Sequence, residues 1–478
     1  SSDLDICRKF IPLKVKASAS RACGNKPWFR PSLLALINKK NRLYKRACRT
    51  KSERHWEIYK TVRNQTTAEI LKAKRKYYEA CAKPLMSPNC TPTKWWSAAK
   101  VLCGQVLQPT VIPPLQSGDT LVYTDAEKAH VLNSSFVNLC SMLDHEPLPI
   151  GPTPNSSTFE FRQLELSDIR TALHGLKNKH SCGPDGISYV LLKTAGEAIV
   201  LPLLALFNYS LEKGEVPSEW KGAIITPKYK GGRRDRKMPT NYRPISLTCC
   251  VARLLEKLLN TQLIDHLLKN KILYRLQSGF LPQHSTITQL CFLISEWQSH
   301  LDEDQIIQTA FLDLRKAYDR VWIDGLLHKL SYLGVSPKSL QWFTSFLTDR
   351  QQQVKIGDQT STWLSPTSGI PQGTVLGPTL FLVFINDLPE KLLNDPTIFA
   401  DDSTIYTTGK DLQTSAQELT SDLGKADLWA QQWGMGFNAE KSEHMIITNK
   451  KASTIYNDKQ YPSTMAGQIG RASCRERV

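Results

Sequence analysis

An α+β fold with a basic helical segment ahead of it is what this 478-residue sequence predicts, on three observations. Short β-compatible apolar runs alternate with helix-period stretches from Leu166 to about Thr448. Two of those runs end in carboxylates, one at Asp313 and one at Asp401-Asp402. Between Ile37 and Lys83 stand 15 Lys and Arg against 4 Glu, so that +11 of a total net charge of +17 sits in one stretch.

With 41% hydrophobic and 22% charged residues the chain buries a core, and 25 glycines and 27 prolines exclude collagen-like and low-complexity classes. The excess of positive charge predicts a polyanionic partner. A membrane partner is not expected, because the longest apolar run, Ala198 to Phe207, is too short to span a bilayer and contains Pro202. The 12 cysteines (Cys7, Cys23, Cys48, Cys81, Cys90, Cys103, Cys140, Cys182, Cys249, Cys250, Cys291 and Cys474) form no CxxC pair, which predicts reduced intracellular thiols. A chain that starts at Ser1, with neither initiator methionine nor signal peptide, is expected to be a piece of a longer reading frame.

Taken in order, Pro31 suits a first helical turn, and Leu33, Leu36, Ile37, Leu43, Tyr44, Ala47 and Cys48 recur at helical steps. A second helix is predicted over Ala68 to Ala82, with Lys72, Lys74, Arg75 and Lys76 beside Tyr77 and Tyr78. That pattern fits a solvated linker or an arm on nucleic-acid phosphates with aromatics available for stacking. Four prolines and a glycine between Ser141 and Ser157 mark a linker and predict a boundary near residue 155. Helices are expected over Leu166 to Leu176 and Val190 to Lys213.

The run Thr309 to Asp313 reads as a strand with the acid at its carboxyl end, and a helical pattern is expected from Lys316. Thr397 to Tyr406 reads as a hairpin with Asp401 and Asp402 at its tip. Either alone is explained by capping or turn hydrogen bonds. Together they supply the hard oxygen ligands of a two-metal phosphoryl-transfer site, whose ions sit about 3.5–4 Å apart.

Phe311-Leu-Asp-Leu-Arg-Lys-Ala-Tyr-Asp319, Ser368-Gly-Ile-Pro-Gln-Gly-Thr-Val-Leu-Gly-Pro378 and Phe399-Ala-Asp-Asp402 resemble the central motifs of reverse transcriptases, in the form found in non-LTR (LINE-type) retrotransposons. Similarity extends to Gly183-Pro-Asp-Gly-Ile187, Asn241-Tyr-Arg-Pro-Ile-Ser-Leu247, Gln277-Ser-Gly-Phe280 with Ser285-Thr286, and Trp433 through Asn438 and Lys441. The resemblance implies a right-hand polymerase fold, with fingers and palm present and the thumb largely missing. Residues 1–155 would be the basic, mainly helical connector and N-terminal extension, and 156–448 the fingers and palm. Residues 449–468 would begin a truncated primer-grip region, and 469–478 look like an adapter-derived tail.

For the site, the resemblance implies that Asp313, Asp401 and Asp402 hold two Mg²⁺ ions, with Mn²⁺ as the alternative. Lys230 and Arg243 would contact the triphosphate, Lys228 taking a place that is commonly apolar. Tyr318 would wall off a ribose 2′-hydroxyl, Gln372 and Gly373 would lie against the template–nucleotide pair, and Lys441 would protonate departing pyrophosphate. The implied partners are an RNA template, a DNA primer or target, and dNTPs, in the nucleus or a cytoplasmic ribonucleoprotein. The implied activity is RNA-directed DNA polymerisation. A catalytically dead nucleic-acid-binding relic and a group II intron maturase-like polymerase are the alternatives.

Overall fold

Helix α1 (Pro31–Thr50) starts on Pro31 in its first turn and ends at Lys51, which takes a left-handed φ of 50°. After Ser52, helix α2 (Glu53–Ala82) runs for 30 residues and packs back along α1. The computed structural model describes residues 28–86, 112–140, 157–232 and 234–450, with isolated positions at 90, 95, 96, 98, 99, 102, 103 and 148. Only Leu33 and Ala47 of α1 and Val62 and Thr66 of α2 are buried. Aromatic pairs do the rest: Tyr44 lies 5.3 Å from Tyr59, and Trp28 lies 5.6 Å from Tyr77 and 5.7 Å from Tyr78. Tyr77 and Tyr78 are therefore half-buried under Trp28, whereas the sequence offered them as free stacking platforms; an apolar ring on a charged helix finds the nearest ring first.

This helical pair belongs to one compact unit, Ser1–Ile112; a second comprises Pro113–Val478. The division differs from the boundary expected near residue 155. A short hairpin, β1 (Leu115–Ser117) with β2 (Thr120–Val122), leads into α3 (Asp125–Leu139), which opens on a Thr124/Glu127 capping box. Buried Asn133 on α3 donates to the Thr362 carbonyl at 2.9 Å and accepts from Gln352 Nε2 at 3.0 Å, so this helix is part of the larger unit's core. The proline-rich linker read at 141–157 lies, but for 148 and 157, outside the described residues, as do the expected segment 449–468, but for 449 and 450, and the tail 469–478.

A helical layer follows. After α4 (Leu166–His174), the run predicted as one helix from Val190 to Lys213 is divided into α5 (Tyr189–Ala195), a 3₁₀ turn at Gly196–Ile199, and α6 (Val200–Lys213). By length and composition Tyr189–Lys213 would cross a bilayer. Here Gly196 breaks it at φ 54°, and Val200, Leu203, Phe207 and Leu211 are buried in the core. Beside this layer runs α7 (Cys250–Lys269), a core helix with ten buried positions.

Two four-stranded sheets organise the unit. In the first, β3 (Gly222–Tyr229) pairs antiparallel with β4 (Tyr242–Thr248) and parallel with β6 (Gln351–Ile356), which turns into β7 (Gln359–Thr360). The second has the order β10-β5-β9-β8, all antiparallel: β5 (Ile306–Asp313), β8 (Thr397–Phe399), β9 (Asp402–Gly409) and β10 (Glu443–Ile447). Five consecutive residues of β5, Ile306 to Ala310, are buried, as expected of a strand covered on both faces. Helices α8 (Thr286–Asp302) and α12 (Leu412–Gln432) pack on this sheet, while α9 (Ile323–Tyr332), α10 (Pro337–Leu347) and the almost wholly buried α11 (Gly377–Ile385) fill the core beyond it. The nine cysteines among the described residues are all free.

Candidate active site

The carboxylates are positioned by strand register. Asp313 ends β5 and stands opposite Asp402, the first residue of β9, while Asp401 occupies the turn that joins β8 to β9. Ala400 makes that turn possible by adopting φ 60°, a left-handed conformation unusual for a residue with a Cβ. Burial raises the pKa of Asp401 most, its own backbone hydrogen bond opposes this, and the charges of Asp402 and Asp313 raise it further. Asp402 is likewise raised, by burial first and then by Asp313. Three mutually repelling carboxyl groups fit a divalent cation, which prefers such hard oxygen donors. Lys441 partly offsets them here: its Nζ donates to both oxygens of Asp313, at 2.9 and 2.7 Å, and its charge pulls the pKa values of Asp401 and Asp402 down. Among the described residues no three His, Cys, Asp or Glu side chains form a closed metal-ligating group.

Lys441 arrives through the segment after α12. Leu314 bridges to Phe437, Arg315 N–H donates to the Gly436 carbonyl, and Asn438 N–H donates to the Asp313 carbonyl at 2.7 Å. Asn438 Nδ2 also reaches Asp313 Oδ2 at 3.3 Å. The segment is anchored by a wholly buried ion pair, Lys329 Nζ to Asp387 Oδ1 at 2.6 Å, with the ammonium 3.7 Å from the Trp433 ring centre and Trp429 Nε1 donating to Asp387 at 3.0 Å.

The helix expected from Lys316 is absent: residues 315–320 turn tightly, Lys316 has φ 53°, and α9 begins only at Ile323. The competing bonds are long-range. Gly369 and Ile370 N–H groups donate to the Val321 and Tyr318 carbonyls, both at 2.8 Å, and draw the segment onto the glycine-proline loop. In that loop Gly373 has φ 114°, and a Cβ there would lie 2.8 Å from the Ser246 carbonyl oxygen of β4. Gln372 donates from Nε2 to the buried Asp319 at 2.8 Å and accepts from Ser246 N–H through its carbonyl at 2.9 Å. Burial pushes Asp319 up against the pull of Gln372, Lys316 and Lys230. Tyr318 stacks on Phe381 with ring centres 5.0 Å apart, and its hydroxyl is buried without a hydrogen-bond partner; burial and the charge of Asp401 raise its pKa.

One open cleft of about 1090 Å³ unites these pieces: Lys230, Arg243, Asp313, Tyr318, Gln372, Gly373, Asp401 and Lys441 all line it. Exposed Asp402 is not among its walls, although it faces Asp313 in the register. Lys230, half-buried, donates to the Thr240 carbonyl at 2.6 Å; burial, then Lys316 and Arg243, bring its pKa down to about 8. Lys228 is exposed and stands across from Arg243 in the strand pair, outside the cleft walls. Lys72, Lys74, Arg75 and Lys76 are exposed on α2, in the other unit, and Arg75 pairs with Glu79 at 2.8 Å. Sequence reading assigns no role to Asp319, Asn438 or Lys316, which line the same cleft. The signal for Asp319 was its place directly after Tyr318 in the first motif.

Residues 228–467 match the family described as reverse transcriptase (RNA-dependent DNA polymerase). The chain is 27% identical over 448 residues to the RNA-directed DNA polymerase from mobile element jockey of Drosophila melanogaster, covering 89% of this chain and 48% of that protein. It is 27% identical over 436 residues to the probable RNA-directed DNA polymerase from transposon BS of the same species, covering 88% and 48%. It is 25% identical over 303 residues to a retrovirus-related Pol polyprotein from type-1 retrotransposable element R2 of Popillia japonica, covering 60% and 40%. The chain thus spans about half the length of the first two relatives. With the acid pair in register, the glycine-proline loop beside it and half the sequence matched, the chain belongs to the reverse transcriptase family, among relatives from non-LTR, LINE-type elements.

Proposed function

We propose that this chain is an RNA-directed DNA polymerase of a non-LTR element, adding deoxynucleotides to a primer 3′ end on an RNA template. The observation that carries this reading is the single cleft in which acids, cations, an aromatic ring and a tight glycine turn meet from separate segments of the chain. In this reading the β10-β5-β9-β8 sheet with its helices is the palm, the β4-β3-β6-β7 sheet belongs to the fingers, and the α1–α2 pair is the connector that holds nucleic-acid phosphates. With those partners, the setting proposed is the nucleus, a cytoplasmic ribonucleoprotein, or both.

Asp313, Asp401 and Asp402 would hold two Mg²⁺ ions, which when bound lower the cost of a primer 3′-alkoxide and offset triphosphate charge. The remaining roles belong to the protein. Arg243 and Lys230 bind phosphate oxygens, the first bidentately and the second as a point charge. Tyr318, held flat by Phe381, forms the wall beside the sugar. Gln372, its amide fixed by Asp319, lies against the nascent pair. Lys441 leaves Asp313 and donates a proton to the departing pyrophosphate; such help is worth typically about 10²–10⁴-fold.

The test is primer extension by the full chain on an RNA template with dNTPs and Mg²⁺. Incorporation is expected, with a loss of about 10³-fold or more in Asp401→Ala at unchanged RNA affinity and unchanged circular dichroism. Equal incorporation by that variant sinks the carboxylate assignment, and an inert wild-type chain that still binds RNA supports the relic instead.

A further inference from the structure

We infer that Gln277 is a positioning residue for Asp401, acting through the left-handed turn at Ala400. The inference rests on the polymerase reading for what Asp401 does, and on separate geometry for how it is held.

Gln277 is buried at 3% exposure, on a segment that joins the outer edge of the carboxylate sheet. It forms a parallel bridge with Ile398 of β8; Ser278 N–H donates to the Ile398 carbonyl at 2.9 Å, and Ile398 N–H to the Leu276 carbonyl at 3.1 Å. The strand on which the acid turn is mounted is thus clasped on one side by β9 and on the other by residues 276–278.

From this base the Gln277 side chain reaches forward to the turn. Its Oε1 accepts from Ala400 N–H at 3.0 Å and from Gly279 N–H at 2.7 Å. Ala400 is the residue at φ 60°, a conformation that a residue with a Cβ holds only when its surroundings over-determine it. Gly279 is needed for the approach: a Cβ there would stand 2.2 Å from Ala400 N and 2.8 Å from Ala400 Cα. One amide oxygen therefore ties a glycine and a strained alanine together directly before Asp401, and loss of that oxygen leaves two buried-segment N–H groups without their acceptor.

This division of labour places Gln277 behind the turn, since it is not among the residues lining the cleft. Its removal should move the acid without altering nucleotide contacts. Because a displacement of about 1 Å can cost on the order of 10²-fold, the effect belongs in kcat.

The experiment uses the full chain, on condition that the wild type extends primers; an inert wild type defeats the polymerase reading and leaves the clasp to be judged by exchange alone. Hydrogen exchange of the segment 396–402 comes first and needs no variant: the Ala400 amide should be protected in the wild type, and exchange at the free-peptide rate in a folded chain overturns the inference. In Gln277→Met, which keeps length and removes the acceptor, protection of that segment should be lost, kcat should fall about 10- to 100-fold, and the dNTP KM should stay within about threefold. Adding Ala400→Gly should recover part of the lost kcat, because glycine adopts positive φ without a tether. Wild-type kcat in Gln277→Met, a loss confined to dNTP KM, or no recovery in the double variant each overturns the positioning role.

Discussion

Two ion pairs set the two regions of this molecule apart. In the helical pair, Arg75 and Glu79 meet at 2.8 Å with side chains 83% and 61% exposed. Behind the cleft, Lys329 and Asp387 meet at 2.6 Å with side chains 0% and 3% exposed. The first pair contributes little, about 0.3–0.5 kcal/mol, because water and salt screen both charges. The second is enclosed by Phe384, Trp429 and Trp433, so neither charge has an alternative partner in solvent. The α1–α2 pair can exchange charges freely; the core behind the segment that carries Lys441 cannot.

The largest break expected from this contrast is Asp387→Ala. It strands Lys329, whose pKa burial already brings down to about 8, and should cost about 3–5 kcal/mol in unfolding free energy. Denaturant titration measures it. A cost near that of Arg75→Ala, below about 0.5 kcal/mol, would show that the two pairs are equivalent and the contrast empty.

The second contrast lies inside the cleft, between a residue fixed by packing and one fixed by charge. Tyr318 is held by Phe381 and by burial, so Tyr318→Ala should leave dNTP incorporation measurable and raise rNTP use relative to dNTP use about 10- to 100-fold. The ratio of the two kcat/KM values decides; an unchanged ratio returns Tyr318 to a purely structural part.

Lys230 gives a smaller effect with a defined sign. Its pKa of about 8 means that the ammonium is present below pH 8 and lost above it, so kcat/KM for dNTP should fall roughly 5- to 10-fold between pH 7.5 and 9. Arg234, Arg243, Lys316 and Asp319 face it in the cleft or nearby. Lys230→Arg keeps its charge throughout, and its profile should stay flat over that interval. A fall of the same size in that variant assigns the alkaline limb to another group.

These contrasts also explain what could be read from sequence. The strand end at Asp313 and the hairpin at Asp401-Asp402 were legible because a buried strand beside a turn leaves a local pattern, and every predicted cleft residue from Lys230 to Lys441, Asp402 aside, lines one cavity. The turn at 315–320 was not legible: its helical pattern is real, and two backbone bonds from residues 369 and 370 override it. Long-range partners such as Asp319 with Gln372, or Lys329 with Asp387, leave no spacing to detect. In the helical pair the first helix was expected from local periodicity and the second only over its last half, Ala68 to Ala82, whereas it starts at Glu53; the capture of Tyr77 and Tyr78 by Trp28 depends on a turn between helices that periodicity does not specify.

The smallest effect on stability, and the sharpest test of the exposed region, comes from replacing Lys72, Lys74, Arg75 and Lys76 by glutamine. All four side chains are exposed on α2, and glutamine has nearly the same helix propensity, so the unfolding midpoint should hardly move. RNA binding should weaken for every sequence alike, and the slope of log K against log[salt] should flatten by about 0.7 to 0.9 for each phosphate that is no longer neutralised. The four positions are not equivalent, because Arg75 already faces Glu79 and must break that pair to reach a phosphate. Arg75→Gln alone should therefore change the slope less than any of the three lysine variants. Equal slopes in all four single variants would show that Glu79 does not compete with RNA, and an unchanged slope in the quadruple variant would reduce this face of α2 to solvated surface.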